Sequence, residues 1–197
     1  MTKTNDIRLK IILGSTRQGR FSDKPGAWIA AEAKKIAGVD AEILDLRDYP
    51  MPFYDETVSP SMKTGDYANE AVVRWSSKIG EADAFIIITP EYNHAPPAVL
   101  KNALDYVSKE WNKKPVAFIS YGSVGGARAV EQLREIAVEF QMAPIRDAVL
   151  IPAHWGMMDA TGALKPGALD GFVQAGQSML AQLLWWANAL KTARVTA

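Results

Sequence analysis

Between Gly80 and Pro90 the chain carries Ala84-Phe85-Ile86-Ile87-Ile88, five consecutive apolar residues with no polar break. Successive side chains of a strand point to opposite faces, so a strand that is apolar at every position needs both faces of its sheet covered. Parallel sheets flanked by helices supply that cover. The rest of the chain agrees. Apolar strand patterns at Ile7 to Leu13, Ala41 to Leu46, Val116 to Ser120 and Pro144 to Ile151 are separated by segments whose apolar residues recur at helical spacing. Those segments are Lys24 to Ala37, Asp66 to Gly80, Pro96 to Lys109, Ala127 to Phe140 and Gly167 to Lys191. Strict alternation of strand and helix, with no internal repeat, predicts an α/β fold: a five-stranded parallel sheet with helices on both faces, joined by right-handed crossovers. At 197 residues, one domain spanning residues 1–197 is expected.

Composition narrows the chemistry. Lysine plus arginine and aspartate plus glutamate number 22 each, so net charge draws the chain neither to nucleic acid nor to an anionic membrane. There is no cysteine, which excludes thiolate chemistry, disulfides and cysteine-held metal clusters. Redox chemistry would need a bound cofactor. No stretch approaches a membrane span and the start lacks the apolar core of a signal peptide, which predicts a cytoplasmic protein.

In a doubly wound sheet, ligands sit outside the carboxyl ends of the strands where strand order reverses. Three unusual loops emerge at that end. The first, Gly14-Ser15-Thr16-Arg17-Gln18-Gly19-Arg20-Phe21-Ser22, follows a buried strand and precedes a helix, so free backbone N–H groups and the helix dipole favour an anion there. Its glycine spacing matches neither the dinucleotide fingerprint nor the nucleoside triphosphate loop. It carries no carboxylates for phosphoacceptor chemistry. Hydroxyls at Ser15, Thr16 and Ser22 and guanidinium groups at Arg17 and Arg20 suit a phosphate. The second loop, Pro90-Glu91-Tyr92-Asn93-His94, and the third, Tyr121-Gly122-Ser123-Val124-Gly125-Gly126, offer an aromatic ring, an amide and glycines that would let backbone approach a flat ligand. A flavin mononucleotide has the matching shape. His94 and His154 stand apart without a carboxylate cluster, so neither a metal site nor a catalytic triad is expected. His94 could relay a proton or serve a structural role. The proline- and aromatic-rich Tyr49 to Tyr54 could be a lid or could pack on the surface.

Gly14-Ser15-Thr16-Arg17, Pro90-Glu91-Tyr92-Asn93 and Gly125-Gly126, each after its own strand, resemble the NADPH-dependent FMN reductase family of flavodoxin-like proteins, which includes azo, quinone and chromate reductases. The similarity spans most of the chain, and Pro90 to Asn93 is its most specific part. The resemblance implies bound FMN, with the phosphate at Ser15, Arg17 and Ser22 and the ring between Pro90 to Asn93 and Tyr121 to Gly126. Thr16, Arg20 and Phe21 complete the expected cofactor set. It implies hydride transfer from NADPH or NADH to the flavin and on to a small-molecule electron acceptor, with no side chain needed as an essential acid or base. It also implies a homodimer or homotetramer. Apolar and aromatic residues left over near the ligand edge, Tyr106, Trp111, Trp185 and Trp186, independently predict an interface with the third helix contributing. A flavodoxin-like electron carrier and a non-enzymatic FMN-binding protein are the rival readings. The chain departs from many relatives at Gly19-Arg20-Phe21-Ser22.

Overall fold

The computed structural model describes residues 6–63 and 67–196. Five parallel strands, β1 (Ile7–Leu13), β2 (Val39–Asp45), β3 (Ala84–Pro90), β4 (Pro115–Gly122) and β5 (Ala143–Pro152), form one sheet in the order β2-β1-β3-β4-β5. Five helices alternate with them: α1 (Asp23–Lys34), α2 (Glu70–Glu81), α3 (Ala98–Asp105), α4 (Ala127–Glu139) and α5 (Val173–Thr196). This is the flavodoxin-like strand order, and its switch point lies between β1 and β3.

The side-chain period of two divides the core. Leu9, Ile11, Ile86, Ile88, Ala117 and Ile119 face α1 and α5. Ile12, Phe85, Ile87, Val116 and Phe118, one residue out of phase, face α2, α3 and α4. All seven residues of β3 are buried, as its uninterrupted apolar run requires.

Element ends shift from their expected positions for local reasons. The expected helix over 96–109 is only Ala98–Asp105. Proline fixes its own φ and disfavours helix in the residue before it, so Pro96-Pro97 delays the start. After Asp105 the Trp111 indole takes the carbonyls of Leu104 (3.2 Å) and Val107 (3.1 Å) and folds the chain into a separate turn. The last helix begins at Val173, not Gly167, because Gly167 is left-handed (φ 71) and a short 3-10 turn spans Asp170–Phe172. The expected start of α2 at Asp66 lies outside the described residues. Within them, Asn69 caps the helix by accepting from Ala71 N at 2.9 Å.

Tyr106 and Trp111, expected as surface aromatics, are 2% and 0% exposed in the α2–α4 core. Both were read from composition near the ligand edge, but their spacing on and after α3 turns them toward Phe85 and Tyr54. Trp185 and Trp186 do remain exposed, on α5. Tyr49 to Tyr54 packs on the surface: the Asn102 side chain accepts from Tyr54 N (2.9 Å) and donates to Pro52 O (2.7 Å), leaving Phe53 in solvent.

Candidate functional site

The β1–α1 loop opens with Gly14, whose N–H donates to Ile88 O at 2.8 Å and which packs so closely that a Cβ would lie 2.8 Å from that same oxygen. Ser15 follows, buried, with its Oγ 3.1 Å from the Tyr92 hydroxyl and accepting from Arg17 N at 3.3 Å. Past Gly19 (φ 65) the chain enters α1 at Ser22. Among the described residues, the N–H groups of Thr16, Gln18, Gly19 and Phe21 find no protein acceptor, while that of Ser22 lies toward the Tyr121 hydroxyl. Ser22 occupies the N-cap position but makes no capping hydrogen bond, and its buried Oγ has no partner. An N-cap serine ordinarily spends its hydroxyl on its own helix. A buried donor left open at a cluster of open N–H groups is the arrangement an anion completes. The phosphate of FMN fits this donor set. Arg17, exposed beside the loop, adds a charge with no ion-pair partner among the described residues.

Arg20 does not belong to that set. Its side chain is 1% exposed, and its donors go to Asp23 (Nε, 3.0 Å), to Asp45 (Nη1 2.8 Å, Nη2 2.6 Å) and to the Ser15 carbonyl. Burial opposes the charge on Arg20, but hydrogen bonds to Asp45 and Asp23 outweigh it and hold the guanidinium above its ordinary range. Burial likewise opposes the Asp45 charge, and hydrogen bonds from Arg20 and Arg47 hold that carboxyl well below the usual range. Arg20 therefore braces the loop to the end of β2. Phe21 follows it. Its ring is buried against Tyr121 (5.2 Å) and His154 (4.9 Å), as part of the floor beneath the loop.

After β3, Glu91 lines the cleft while its carboxylate is committed to α4. Its carboxylate, 3% exposed, accepts from Arg128 N (3.0 Å) and Arg128 Nε (2.7 Å), capping α4. Burial works against its charge, but Arg128 holds it below the usual carboxylate range. The Glu91 side chain thus ties the second loop to the start of α4. Next, Tyr92 and Ala95 exchange backbone hydrogen bonds (2.9 and 3.1 Å) around Asn93 (φ 50) and His94 (φ 71). Both central residues are left-handed, the geometry of a type I′ turn that asparagine tolerates and histidine does not favour. The turn leaves Tyr92 and Asn93 exposed at the mouth beside Pro90. His94 faces α4, its Nε2 2.9 Å from Arg128 Nη1 and its carbonyl accepting from Gln132 at 2.7 Å.

After β4 come Gly122, Ser123, Gly125 and Gly126. A Cβ on Gly125 would lie 2.9 Å from Leu150 Cβ, and one on Gly126 would lie 2.7 Å from Ser120 Cβ. Both residues also have positive φ, 74 and 78. Packing inside the protein therefore requires these two glycines, whatever lies above them.

One cleft gathers Arg17 and Gly19 from the first loop, Pro90 and Tyr92 from the second, and Tyr121 from β4. It also holds His154, which sequence spacing left unassigned. His154 follows the end of β5, on the same sheet edge as the three loops, and that position was the available signal. Burial pushes the Tyr121 phenol up to about 12, with the neighbouring Ser22 opposing. Burial, then Arg17, holds His154 below its ordinary value. A wider groove between α4, β5 and α5 lies away from these loops, and its charges pair locally, Arg134 with Glu131 (3.4 Å) and Arg146 with Asp147 (3.3 Å).

Residues 7–156 match the family model described as NADPH-dependent FMN reductase. An NAD(P)H-dependent FMN reductase of Schizosaccharomyces pombe is 37% identical over 147 residues, 74% of this chain and 74% of the relative. A quinone reductase of Escherichia coli strain K12 is 34% identical over 139 residues, 67% of this chain and 70% of the relative. Among solved structures, the flavoenzyme NAD(P)H:(acceptor) oxidoreductase FerB of Paracoccus denitrificans superposes with a TM-score of 0.69 at 22% identity, over 90% of this chain and 97% of that one, a likeness of fold. With a model match over three quarters of its length, a flavodoxin-like sheet and a phosphate-ready loop at the switch point, the chain belongs to the NADPH-dependent FMN reductase family.

Proposed function

We propose that this flavin oxidoreductase takes reducing equivalents from NADPH or NADH and delivers them to a small planar acceptor, a quinone, an azo compound or a free flavin, working as a homodimer or homotetramer. FMN, when bound, would supply the redox chemistry that links nicotinamide to acceptor. The chain's own residues hold and orient it. Ser15, Thr16, Arg17 and Ser22, with the open N–H groups between them, receive the phosphate. Pro90, Tyr92 and Asn93 on one side, and Tyr121, Gly122 and Ser123 with the Gly125-Gly126 backbone on the other, bound the ring. Tyr92 joins the two halves, since its hydroxyl meets Ser15 Oγ while its backbone sits in the type I′ turn.

The observation that carries this reading is the unpartnered Ser22 Oγ at the foot of a loop of free N–H groups, at the point where strand order reverses. In this reading one flavin face would be open, and both substrates would have to stack on it. Nicotinamide and acceptor then use the same flavin face in turn. Steady-state rates should follow ping-pong kinetics. The test is to reconstitute the purified protein with FMN, add NADPH anaerobically and follow loss of flavin absorbance, then vary both substrates. Bleaching followed by reoxidation with a quinone supports the proposal. A protein that binds FMN but is not reduced without a second protein is a carrier, and intersecting double-reciprocal lines defeat the shared face.

A further inference from the structure

Ser22 Oγ, Tyr121 OH and His154 Nδ1 are buried polar atoms without a hydrogen-bond partner among the described residues. All three belong to residues that meet beneath the β1–α1 loop. Ser22 and Tyr121 are 0% and 3% exposed. The rings of Phe21, Tyr121 and His154 form a triangle with centroids 4.8 to 5.2 Å apart, so the imidazole is clamped by packing on two sides. A left-handed residue, Ala153 (φ 48), turns the chain off β5 and delivers His154 into this position. Buried polar groups in folded proteins are ordinarily satisfied; Ser22 and Tyr121 face each other, and His154 Nδ1, in a cleft shared with Arg17 and Gly19, is left without a partner. We infer that His154 is a ligand of the cofactor's phosphate and binds it as the imidazolium, so that FMN uptake carries a proton with it; this rests on the FMN reading proposed above.

The surrounding charges give the direction. From the β1–α1 loop, Arg17 faces the imidazole, while Arg20 is already spent on Asp23 and Asp45. From β4 comes the neutral Tyr121 phenol, and at the end of β3 Tyr92 and Glu91 line the cleft, Glu91 paired with Arg128. On the segment that carries His154, Trp155 packs edge-on at 5.4 Å and Lys165 donates to Gly156 O at 2.9 Å. Among the described residues the charge that acts on the ring is thus a cation, and burial, then this cation, favour the neutral ring in the protein alone. A phosphate dianion between Arg17, Ser22 and the loop N–H groups reverses that field. A neutral imidazole offers one N–H and one lone pair, whereas the imidazolium offers donors at both nitrogens, which is what an anion needs.

The test uses the apoprotein and the variant His154→Gln, which keeps an amide donor but cannot titrate. FMN and riboflavin are titrated by fluorescence quenching between about pH 8 and about pH 6, the range in which an imidazole changes charge. Linkage of one proton limits the slope to tenfold per pH unit, so the variant-to-parent ratio of FMN Kd should grow roughly five- to tenfold toward the acid end. The phosphate's own second ionisation, near pH 6, affects both proteins alike and cancels in the ratio. Riboflavin, lacking the phosphate, should give a flat ratio. Because the chain has only 2 histidines, imidazole NMR signals of the parent are assignable with His94→Gln. The His154 midpoint should rise by about one unit when FMN is added and stay put with riboflavin, a readout that holds even if His154→Gln fails to fold. A constant FMN ratio or an unmoved midpoint overturns the role of His154 alone. A parent that binds neither flavin overturns the FMN reading and this inference together.

Discussion

The two arginines of the first loop look equivalent in the linear sequence and do opposite work in the fold. Arg17→Ala should leave the protein folded and weaken FMN binding by about ten- to a hundredfold, the loss expected for a charge-assisted contact worth about 1.5 to 3 kcal/mol. Titration by fluorescence quenching beside circular dichroism checks both halves of that statement. Arg20→Ala should instead destabilise the fold by about 1.5 to 3 kcal/mol in chemical denaturation, because it leaves Asp45 with only the exposed Arg47 and takes the donor from the Ser15 carbonyl. The loop was legible as an anion site because free N–H groups follow from a strand-to-helix turn alone. Arg20's role was not, since its partner stands 25 residues away on a neighbouring strand. The ion pair of Glu91 was hidden for the same reason, its partner Arg128 lying 37 residues on. Short-range pattern reports which residue types gather at an edge, and a pairing across strands is settled only once the sheet has formed.

At the scale of elements, the strands were legible almost to the residue and the helix ends were not. Strand boundaries follow the apolar runs, whereas helix boundaries follow caps and turns such as Pro96-Pro97 and Trp111. Two junctions give measurable consequences. Gly126→Ala should cost at least about 1 to 2 kcal/mol in thermal or chemical denaturation, since an alanine is strained at φ 78 and its Cβ would press on Ser120. At the end of α2, Lys114 donates to Ile79 O (2.7 Å) and Gly80 O (2.9 Å) from a buried position, and burial pulls its ammonium down to about 8. The unfolded lysine titrates near 10.4. Between about pH 8 and about pH 10 the unfolded chain therefore holds a proton the folded one has released, and this group's contribution to stability rises with pH. Below pH 8 both states are charged and the contribution is constant. Denaturation of the parent against Lys114→Met should show the parent gaining, relative to the variant, across that window. No relative gain would mean the ammonium stays charged.

For the whole molecule, the decisive face is the outer side of α5. Val173 to Leu190 contains no charged residue, yet Trp185 is 66% and Trp186 38% exposed. A helix that faces only water is ordinarily charged on its outer side, and exposed aromatic patches mark interfaces. Of the four aromatics expected at an interface, Trp185 and Trp186 are exposed, while Tyr106 and Trp111 are internal. Light scattering at micromolar concentration should report an oligomer, and Trp185→Glu should shift it toward monomer with the secondary structure unchanged. A parent already monomeric at that concentration removes the case for assembly through this face.

The brace from Arg20 to Asp45 also bears on time. By fastening the β1–α1 loop to the frame of the sheet, it orders the phosphate cradle before any ligand arrives, so capture spends little free energy on arranging the loop. Encounter then needs no slow folding step. Removing the cofactor should leave a socket that refills in a single fast phase, and the same molecule can shed and regain its flavin many times without passing through a disordered state.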